Sequence, residues 1–474
     1  MEANITTTRQ MPLVAKAAPV TKTKAPVQEP ENKPSSLKTS RIIILFATFI
    51  MMLTGGFLVY LLQPQFEQLH LERMQSTWGF YFIVFSMALL GYKLLYFLFN
   101  VVQYFRYKPV ESVTDQELPT CTVIVPAYNE GHLVYDTLLS LVASDYPAEK
   151  LQILVFDDGS KDDTWDWMKK AKAALGDRVS IYQQPKNMGK RHALYRGFKM
   201  GSGDVFVTVD SDSVVKADTL RNLVSPFVVN ENCGAVAGNV LVLNNDKAII
   251  PKMLNVSFVL SFEFMRSAQS AMGSVLCTPG ALSAYRREAV FNCLEDWINQ
   301  TFNGQPSDIG EDRAMTNMIM KQGYHILFQR NSYVLTNVPE KYKGLYKMFI
   351  RWGRSNVREN LMMAKFVFKK FRPEASRFGT RLIFFDQSLN MLLTYPLLLL
   401  MLVMIVMHPL LFISSALFGI LLASSFSVFF YAKRYNLSES LWAYSYSFLF
   451  TFGLFWITPY AIATASRRGW LTRG

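Results

Sequence analysis

Long apolar runs at both ends of the chain, on either side of a polar middle, set the first limit on the fold. Residues 41–62 and 78–99 form two such runs. Three more follow near the carboxyl end, at residues 382–407, 410–431 and 441–462. About 20 apolar residues are enough for a helix to cross a bilayer. The sequence therefore predicts a multi-pass membrane protein with a polar domain between its membrane helices.

Charge gives the expected orientation of the first helices. The 474-residue chain has a formal net charge of +13. Basic residues in the polar stretch 1–40, together with Arg106 and Lys108, favour the cytosol for both outer flanks of residues 41–105. We therefore expect two transmembrane helices in the inner (plasma) membrane and a cytosolic catalytic domain. The alternative for the first run is a signal anchor alone.

Residues 1–40 and the cysteines add little chemistry. The first 40 residues are polar, contain several prolines and lysines, and predict a disordered cytosolic tail without a signal peptide. The four cysteines lack metal-type spacing and are typical of a reducing compartment: Cys121, Cys233, Cys277 and Cys293.

The polar middle, residues 118–340, alternates strand and helix patterns. Strands are predicted at residues 122–125, 151–156, 179–182 and 205–209, each of the first three followed by a helix. Repeated βαβ units give a mostly parallel, right-handed α/β sheet. Their carboxyl-end loops are expected to lie together, and these carry Asn129, Asp157, Asp158, Lys190, Asp210 and Asp212.

Two carboxylates follow the fourth strand in the stretch GDVFVTVDSDS. Asp210 and Asp212 lie where an open α/β sheet binds its ligand. They suit a hard divalent cation, Mg²⁺ or Mn²⁺, that shares its coordination with phosphate oxygens. An Asp-Xaa-Asp can equally be a solvated turn.

Other residues of the same edge suit a nucleoside diphosphate. Lys190 and Arg191 begin a helix and can meet phosphates, whereas Asp157 or Asp158 can accept hydrogen bonds from a base or ribose. A surface lysine and an Asp-Gly turn are the structural alternatives. Glu311 and Asp312 open a later helix, where a carboxylate can act as general base or can be an acidic first turn.

Residues 341–375 are strongly basic with interleaved aromatics, which predicts amphipathic helices at an anionic membrane surface. A nucleic-acid patch is the rival interpretation, and adjacent membrane spans disfavour it. Arg351 and Trp352 offer a cation for phosphate and a flat face for a sugar. The alternative is a core tryptophan beside a surface arginine.

The carboxyl-terminal membrane region, residues 380–465, poses a topological conflict. Three full crossings would leave the basic tail, residues 466–474, outside, although its charge predicts the cytosol. Pro396 and Pro459 are expected to kink or break their segments. One segment, the last by preference, is therefore expected to be re-entrant or bent back.

Taken together, the motifs resemble a known family. PAYNE, DDGS, GKRHA, DVFVTVDSD, GALSAYRRE, NQTF, GEDR, RWGRS and the terminal WLTRG occur in one order over residues 120–474. They resemble the membrane-embedded processive glycosyltransferases of family 2. Bacterial hyaluronan synthases are most similar, followed by chitin-oligosaccharide synthases of nodulating bacteria, chitin synthases and cellulose synthases.

The resemblance implies a GT-A catalytic fold and an inverting transfer from a UDP-sugar, with UDP-N-acetylglucosamine favoured. It also implies secretion of a growing polysaccharide through the membrane. By motif, Asp210 and Asp212 would hold metal and diphosphate, and Asp312 would be the base with Glu311 beside it. The other substrate contacts implied are Tyr128, Asp157, Asp158, Lys190, Arg191, Cys277, Arg351, Trp352, Trp470 and Arg473.

One departure from the family pattern concerns the acceptor site. The family has glutamine three residues before its Arg-Trp pair, and hyaluronan synthases have a second one beside it. This chain has Met348 and Phe349. The rivals are another exopolysaccharide synthase of chitin type, a non-processive transferase acting on a lipid-linked acceptor, and a non-catalytic scaffold. Membrane lipid is an expected partner, nucleic acid is not, and partner subunits are left open.

Overall fold

The amino-terminal membrane helices form a bent hairpin. The computed structural model describes residues 37–467 and Gly469, so the predictions for residues 1–36, Trp470 and Arg473 lie outside the described residues. The first helices are α1 (Leu37–Leu61), α2 (Gln63–Gln75) and α3 (Thr77–Arg106). The chain turns by 58° between α1 and α2. The link expected between the two apolar runs is therefore itself a helix.

A mixed α/β domain follows. A π-helix, Val259–Met265, joins two of its helices. In chain order the other elements are β1 (Cys121–Ala127), α4 (Leu133–Val142), β2 (Leu151–Asp157), α5 (Thr164–Leu175), β3 (Ser180–Gln183), α6 (Lys190–Met200), β4 (Val205–Val209), β5 (Ser213–Val215), α7 (Thr219–Val229), β6 (Cys233–Val242), α8 (Ile249–Phe258), α9 (Arg266–Ala271), β7 (Leu282–Arg286), α10 (Arg287–Phe291), α11 (Leu294–Ile298), β8 (Thr301–Phe302), β9 (Gln305–Pro306), α12 (Glu311–Lys321) and β10 (His325–Thr336).

The main sheet has eight strands in the order β3-β2-β1-β4-β7-β6-β10-β5. The first four in that order pair in parallel, as the βαβ pattern predicts. The second half differs, because β7 runs antiparallel to both β4 and β6, and β5 runs antiparallel to β10. Reversal of β7 brings the loop before it to the carboxyl end of β4. This loop thereby joins the predicted site.

The sheet buries both faces, which explains its nearly continuous apolar strands. Successive residues of a strand point to opposite faces. Val123 and Val207 accordingly belong to one buried cluster, and Ile124 and Phe206 belong to the other. All four are fully buried. This double cover fixes the edge from which the polar loops emerge.

Most of the basic stretch, residues 341–375, forms a single helix, α13 (Tyr342–Ala364), where several surface helices were predicted. It is amphipathic, but several of its charged side chains lie inside the protein. Arg354, Arg358 and Glu359 are 3%, 2% and 2% exposed. The interpretation of the whole stretch as a membrane-surface patch is therefore wrong for these three residues, because they form internal hydrogen bonds.

The carboxyl-terminal helices are α14 (Glu374–Met407), α15 (Pro409–Arg434), α16 (Trp442–Phe448) and α17 (Ile457–Ala463). α14 continues through Pro396, so the break predicted there is absent. The last segment bends by 52° between residues 453 and 457. Pro459 lies in the first turn of α17, where a missing N–H costs no intrahelical bond.

Three helices of the described chain are long and apolar enough to cross a membrane: α3, Ser376–Met407 within α14, and α15. The number rises to five if the α1–α2 pair and the bent segment of residues 439–463 each count as one span. The protein therefore has the helical membrane region that its apolar runs predict.

The end of the described chain returns to the α/β domain. The Nε of Arg358 donates to the carbonyl of Ala465 over 2.5 Å, and its Nη2 donates to the carbonyl of Arg467 over 2.7 Å. The amide of Gly469 donates to Asp308 over 2.9 Å. Because α17 bends back, residues 464–467 and Gly469 lie on the same side of the molecule as the sheet.

Candidate functional site

The site is built at the carboxyl end of β4. Asp210 follows this strand directly, and Gly280 precedes β7 at the same edge. A Cβ built on Gly280 would lie 2.6 Å from the Nζ of Lys190 and 3.6 Å from the Asp210 carboxylate. Only glycine leaves this space open, so the backbone forms one wall of a cradle around the two charged groups.

Lys190 links the strand loop to the helix that carries the predicted base. Its ammonium forms an ion pair with Asp210 and lies 3.4 Å from Oε1 of Glu311. Burial lowers the pKa of Lys190, but the neighbouring carboxylates, Asp210 foremost, outweigh it, and the net pKa is raised. Lys190 therefore stays charged and places a cation between two acidic loops.

Asp312 lies in a mostly enclosed environment at the start of α12. Its Oδ2 accepts from the amide of Gly280 over 3.2 Å, and its Oδ1 accepts from the amide of Arg313 over 2.7 Å. Burial, followed by the charge of Glu311, raises the pKa of Asp312, while Lys190 opposes this rise. A carboxylate with a raised pKa is a stronger proton acceptor than an ordinary surface aspartate.

Gly310 allows α12 to approach α13 closely. It has a φ of 77°, in the left-handed region that glycine tolerates best. A Cβ on Gly310 would lie 2.1 Å from the Oγ of Ser355. The contact brings α13 beside the start of α12, and the charge of Arg351 acts to lower the pKa of Asp312. The predicted base and the Arg-Trp motif thus share one site.

Asp212 is anchored beside Asp210. Its Oδ1 accepts from the hydroxyl of Ser213 over 3.2 Å and from that of Thr336 over 3.3 Å. Within residues 37–467 and Gly469, three or more acidic, histidine or cysteine side chains do not come together as a metal site. The predicted site therefore offers two carboxylates, a number that suits Mg²⁺ when substrate phosphates and water complete its shell.

The carboxylates of the other pair, Asp157 and Asp158, accept hydrogen bonds from the loops around them. Asp157 accepts from the amide of Ser160 over 3.0 Å and from Gln183 over 2.9 Å. Asp158 accepts from the side chain of Gln184 and from two backbone amides at residues 188 and 189. Burial raises the pKa of Asp158. Contact of either residue with a base or ribose stays a prediction.

The two basic residues at the start of α6 have different partners. Lys190 reaches Asp210, whereas Arg191 is buried and donates to the carbonyl of Trp297 over 2.6 Å and to Gln300 over 3.0 Å. Its guanidinium also lies 5.0 Å from the centre of the Trp297 ring. These contacts give Arg191 a packing role on one side, and its contact with phosphate stays a prediction. Tyr128, one residue past β1, is half-buried at the same edge.

The Arg-Trp motif presents one open face. Trp352 is 36% exposed, and its ring lies 5.7 Å from that of Phe349 and 6.1 Å from that of Phe258. Met348 is 5% exposed and belongs to the hydrophobic core. Met348, which stands where the family has glutamine, therefore packs in the core, while Phe349 lies beside Trp352.

Cys277 lies against the predicted base. Its Sγ is 3.8 Å from Oδ2 of Asp312, and burial raises the pKa of the thiol to about 12. The thiol is therefore neutral at ordinary pH and can donate weakly to the carboxylate. The loop from Cys277 to Gly280 forms one side of the site.

The sequence analysis did not identify the buried polar residues of α13 and of the π-helix region. Glu359 accepts from Gln300 and Asn317, each over 2.9 Å, and so ties α13 to α12. Arg266 stacks with its guanidinium carbon 3.8 Å from the ring centre of Phe262. A lone acid in a basic run and an Arg in an apolar run are the signals that could have indicated buried partners.

The sequence matches a known family over half its length. The family model described as "Glycosyltransferase like family 2" matches residues 119–355. An N-acetylglucosaminyltransferase of Rhizobium meliloti (strain 1021) is 34% identical over 253 residues, which are 53% of this chain and 59% of that protein. One of Mesorhizobium japonicum is 30% identical over 285 residues, 58% of this chain and 67% of that protein.

A solved structure shares the fold. It is the mannosyltransferase PcManGT of Pyrobaculum calidifontis, described in complex with GDP-Man and Mn²⁺, with a TM-score of 0.54 and 21% identity. The similarity covers 81% of this chain and 96% of that one. Together with the match over residues 119–355, these findings show that the chain belongs to glycosyltransferase family 2 and that its α/β domain has the GT-A fold.

Proposed function

We propose that this chain is a processive membrane N-acetylglucosaminyltransferase that extends a polysaccharide from UDP-N-acetylglucosamine and moves the product across the plasma membrane. One observation carries the proposal: Lys190 contacts both Asp210 and Glu311, immediately beside Asp312. Donor-side and acceptor-side carboxylates therefore face one space. The rhizobial relatives, which are N-acetylglucosaminyltransferases by name, support the choice of sugar.

The proposed reaction is a single displacement with inversion. Asp312 takes the proton of the acceptor hydroxyl as that oxygen forms a bond to the anomeric carbon of the donor sugar. The bond from the anomeric carbon to UDP breaks with its electron pair, and UDP leaves. The raised pKa of Asp312 favours the proton transfer, and the Lys190 ammonium stabilises the charge that develops on the diphosphate.

Asp210 and Asp212 are the proposed ligands of Mg²⁺ or Mn²⁺. The Gly280 cradle leaves room next to Asp210, and two carboxylates match the protein share of a Mg²⁺-diphosphate site. The Mn²⁺ in the PcManGT complex supports this choice of cofactor. When bound, such an ion supplies positive charge to the leaving diphosphate.

The acceptor end of the polymer is proposed to lie on the open face of Trp352. A half-exposed indole can stack on a sugar, and Phe349 extends this apolar platform. Arg351, whose charge acts on Asp312, is proposed to meet the diphosphate. After each transfer, the new end of the polymer returns to the same aromatic platform, and the enzyme thereby elongates the polymer without releasing it.

The proposed orientation places the GT-A domain in the cytosol. α14 begins beside this domain, since Gln387 accepts from Arg313 over 3.1 Å, and α15 returns to it, since Arg434 pairs with Glu263. The bent last segment, residues 439–463, then enters the membrane and returns to the same side without crossing it fully. In this proposed arrangement, residues 464–467 and Gly469 are on the cytosolic side, in agreement with the positive-inside rule.

A hyaluronan-type product is the second candidate, and two buried cations favour it. The charges of Arg266 and Arg313 both act on Cys277, which lies against Asp312, and in the described part of the chain the Nη1 of Arg266 is buried without a hydrogen-bond partner. Burial lowers the pKa of Arg266 to about 10, so it remains charged. A uronate carboxylate in the acceptor would satisfy this guanidinium.

A donor panel tests the proposed function. Purified protein in lipid nanodiscs receives UDP-N-acetylglucosamine alone, UDP-glucuronate alone, or both, and the products are sized and digested with chitinase or hyaluronidase. Long chains from UDP-N-acetylglucosamine alone that chitinase removes support the first candidate. A requirement for both donors and sensitivity to hyaluronidase support the second. Single-sugar products on a lipid acceptor, or no transfer, contradict the proposal.

A further inference from the structure

The apolar helices form an open, largely apolar cavity that the proposed transferase site does not use. It has a volume of about 780 Å³ and lies between α1, α8, α15 and the bent segment that contains α16. Small-molecule sites commonly have volumes of roughly 300–1,000 Å³. Its walls are mostly aliphatic and aromatic, and they include Met51, Leu58, Met253, Leu417, Leu421 and Phe452.

The shape of the cavity follows from two features of the helices. At Gly55, α1 meets α15 closely, because a Cβ there would lie 3.3 Å from side-chain atoms of Leu421 and Phe418. Beyond α16, the chain forms a short π-helix at Leu449–Gly453 and then bends by 52°. The close contact on one side and the bend on the other leave a wedge-shaped space between the helices.

The lining excludes water and sugar as occupants. Two of its hydroxyl groups already have partners in the chain: Thr54 donates to the carbonyl of Ile50 over 2.9 Å, and Tyr444 is 3.1 Å from Ser425. Water in a cavity needs two to four polar partners, and a sugar needs more. An empty space of this volume would forfeit the dispersion contacts of its walls. A hydrocarbon is the occupant that the walls fit.

A cation lies next to the cavity lining in the chain. Lys252 precedes the lining residue Met253 on α8, and its ammonium lies 5.9 Å from the ring centre of Trp442, two residues before the lining residue Tyr444. Lysine and tryptophan together are typical of the membrane–water boundary. The apolar wedge and the boundary cation thus match the two ends of an anionic lipid.

We infer that this cavity binds one acyl chain of an anionic phospholipid, with the phosphate of the headgroup at Lys252. The bound lipid fills the wedge and holds α1 and α16 against α15. The inference rests on the proposed membrane embedding, and because its test reads lipid binding and not sugar transfer, the two can fail separately.

The first test uses the unaltered protein in nanodiscs of phosphatidylethanolamine and phosphatidylglycerol, with a diazirine in the phosphatidylglycerol acyl chain. Photolysis should label peptides that contain Met51–Leu58 and Leu417–Leu421 more strongly than lipid-facing peptides elsewhere. Equal labelling of exposed positions such as Leu392, which is 70% exposed, would mean a surrounding lipid shell only and would overturn the inference.

A pair of neighbouring substitutions sharpens the test. Leu421→Trp fills the cavity, whereas Leu422→Trp adds the same side chain at a position that is 62% exposed and outside the lining. Leu58→Trp fills the cavity from α1 and serves if Leu421→Trp does not fold. We expect native mass spectrometry to show loss of the retained phosphatidylglycerol in the filled variants alone. Equal retention in Leu421→Trp and Leu422→Trp would contradict the site.

The headgroup contact has its own control. Lys252→Gln should abolish the preference for phosphatidylglycerol over phosphatidylcholine in competition labelling, because the attraction to the phosphate is removed. Lys247→Gln changes the same charge on an exposed loop residue and should leave the preference intact. The same preference in both variants would show that Lys252 does not hold the headgroup.

Discussion

Two pairs of carboxylates at the same edge of the sheet have different surroundings. Asp157–Asp158 follows β2, and Asp210–Asp212 follows β4. The first pair is 0% and 3% exposed and binds its own loops through side-chain and backbone donors. In the second pair, the Asp210 side chain is 26% exposed and meets the movable ammonium of Lys190.

The difference shows how one sequence pattern serves two purposes. Backbone donors cannot leave Asp158 without disrupting the loop, so this pair shapes the edge of the site. A lysine side chain can move, so Asp210 can exchange the Lys190 ammonium for a metal ion and diphosphate. We call the first the bracing pair and the second the ligand pair.

The largest expected effect concerns the carboxylate that joins the ligand pair from α12. Asp312→Asn keeps the side-chain volume and removes the proton acceptor, so transfer should fall by about two orders of magnitude or more. UDP binding, measured by calorimetry, should persist. Parental transfer rates in this variant would mean that Asp312 is only an acidic residue of a helix start.

Substitution in the bracing pair should lower the stability of the protein. Asp158→Asn keeps an oxygen for the donors of residues 184 and 188 but places an amide NH₂ group against the N–H of Gly189. An unsatisfied buried group costs about 1–3 kcal/mol, so thermal unfolding in detergent should occur at lower temperature. An unchanged unfolding temperature would break the distinction between the two pairs.

The approach of α12 to the ligand pair depends on Gly310. Gly310→Ala should cost about 1–2 kcal/mol for the left-handed backbone, and the Ser355 contact should add to it and lower transfer activity. Gly304→Ala is the control, since Gly304 has a φ of 74° but nothing within 4 Å of a built Cβ. Equal losses of stability and activity in both variants would remove the role of the Ser355 contact.

A smaller effect is expected in the pH dependence of transfer. Burial and Glu311 raise the pKa of Asp312, and Lys190 lowers it. Removal of a negative neighbour lowers a carboxyl pKa, so Glu311→Gln should move the acid limb of the pH–rate profile to lower pH. Lys190→Met should move it to higher pH. Shifts in the same direction for both variants would contradict the assigned surroundings.

The sequence predicts the first half of the sheet and its edge well, for a local reason. β1 to β4 are short apolar runs with polar loops, and each lies within two residues of its predicted bounds. Lys190 and Asp210 meet because both lie at the carboxyl edge of that half of the sheet, whereas Asp312 joins them from α12, which the βαβ pattern does not place. The antiparallel β7 was not predicted, since its pairing with β4 and β6 joins distant parts of the chain.

The sequence pattern of α13 does not show which of its charged side chains are buried. Arg354 donates to Thr464 and Arg358 to Ala465, partners more than one hundred residues away, so the run looked like a membrane-facing surface. Likewise, the last bend and the return of residues 464–467 were expected only from the conflict between the charge of the tail and the number of membrane crossings. Tertiary partners, rather than local periodicity, decide these features.

UDP titration with and without Mn²⁺ tests the ligand pair most directly. Calorimetry would compare the parental protein, Asp212→Asn and Asp158→Asn. Asp212→Asn should lose the tightening of UDP binding by Mn²⁺, because one of two carboxylate ligands is gone. Asp158→Asn should retain that tightening even if its overall affinity falls. Loss of the Mn²⁺ effect in Asp158→Asn, with its retention in Asp212→Asn, would contradict the assignment of the two pairs.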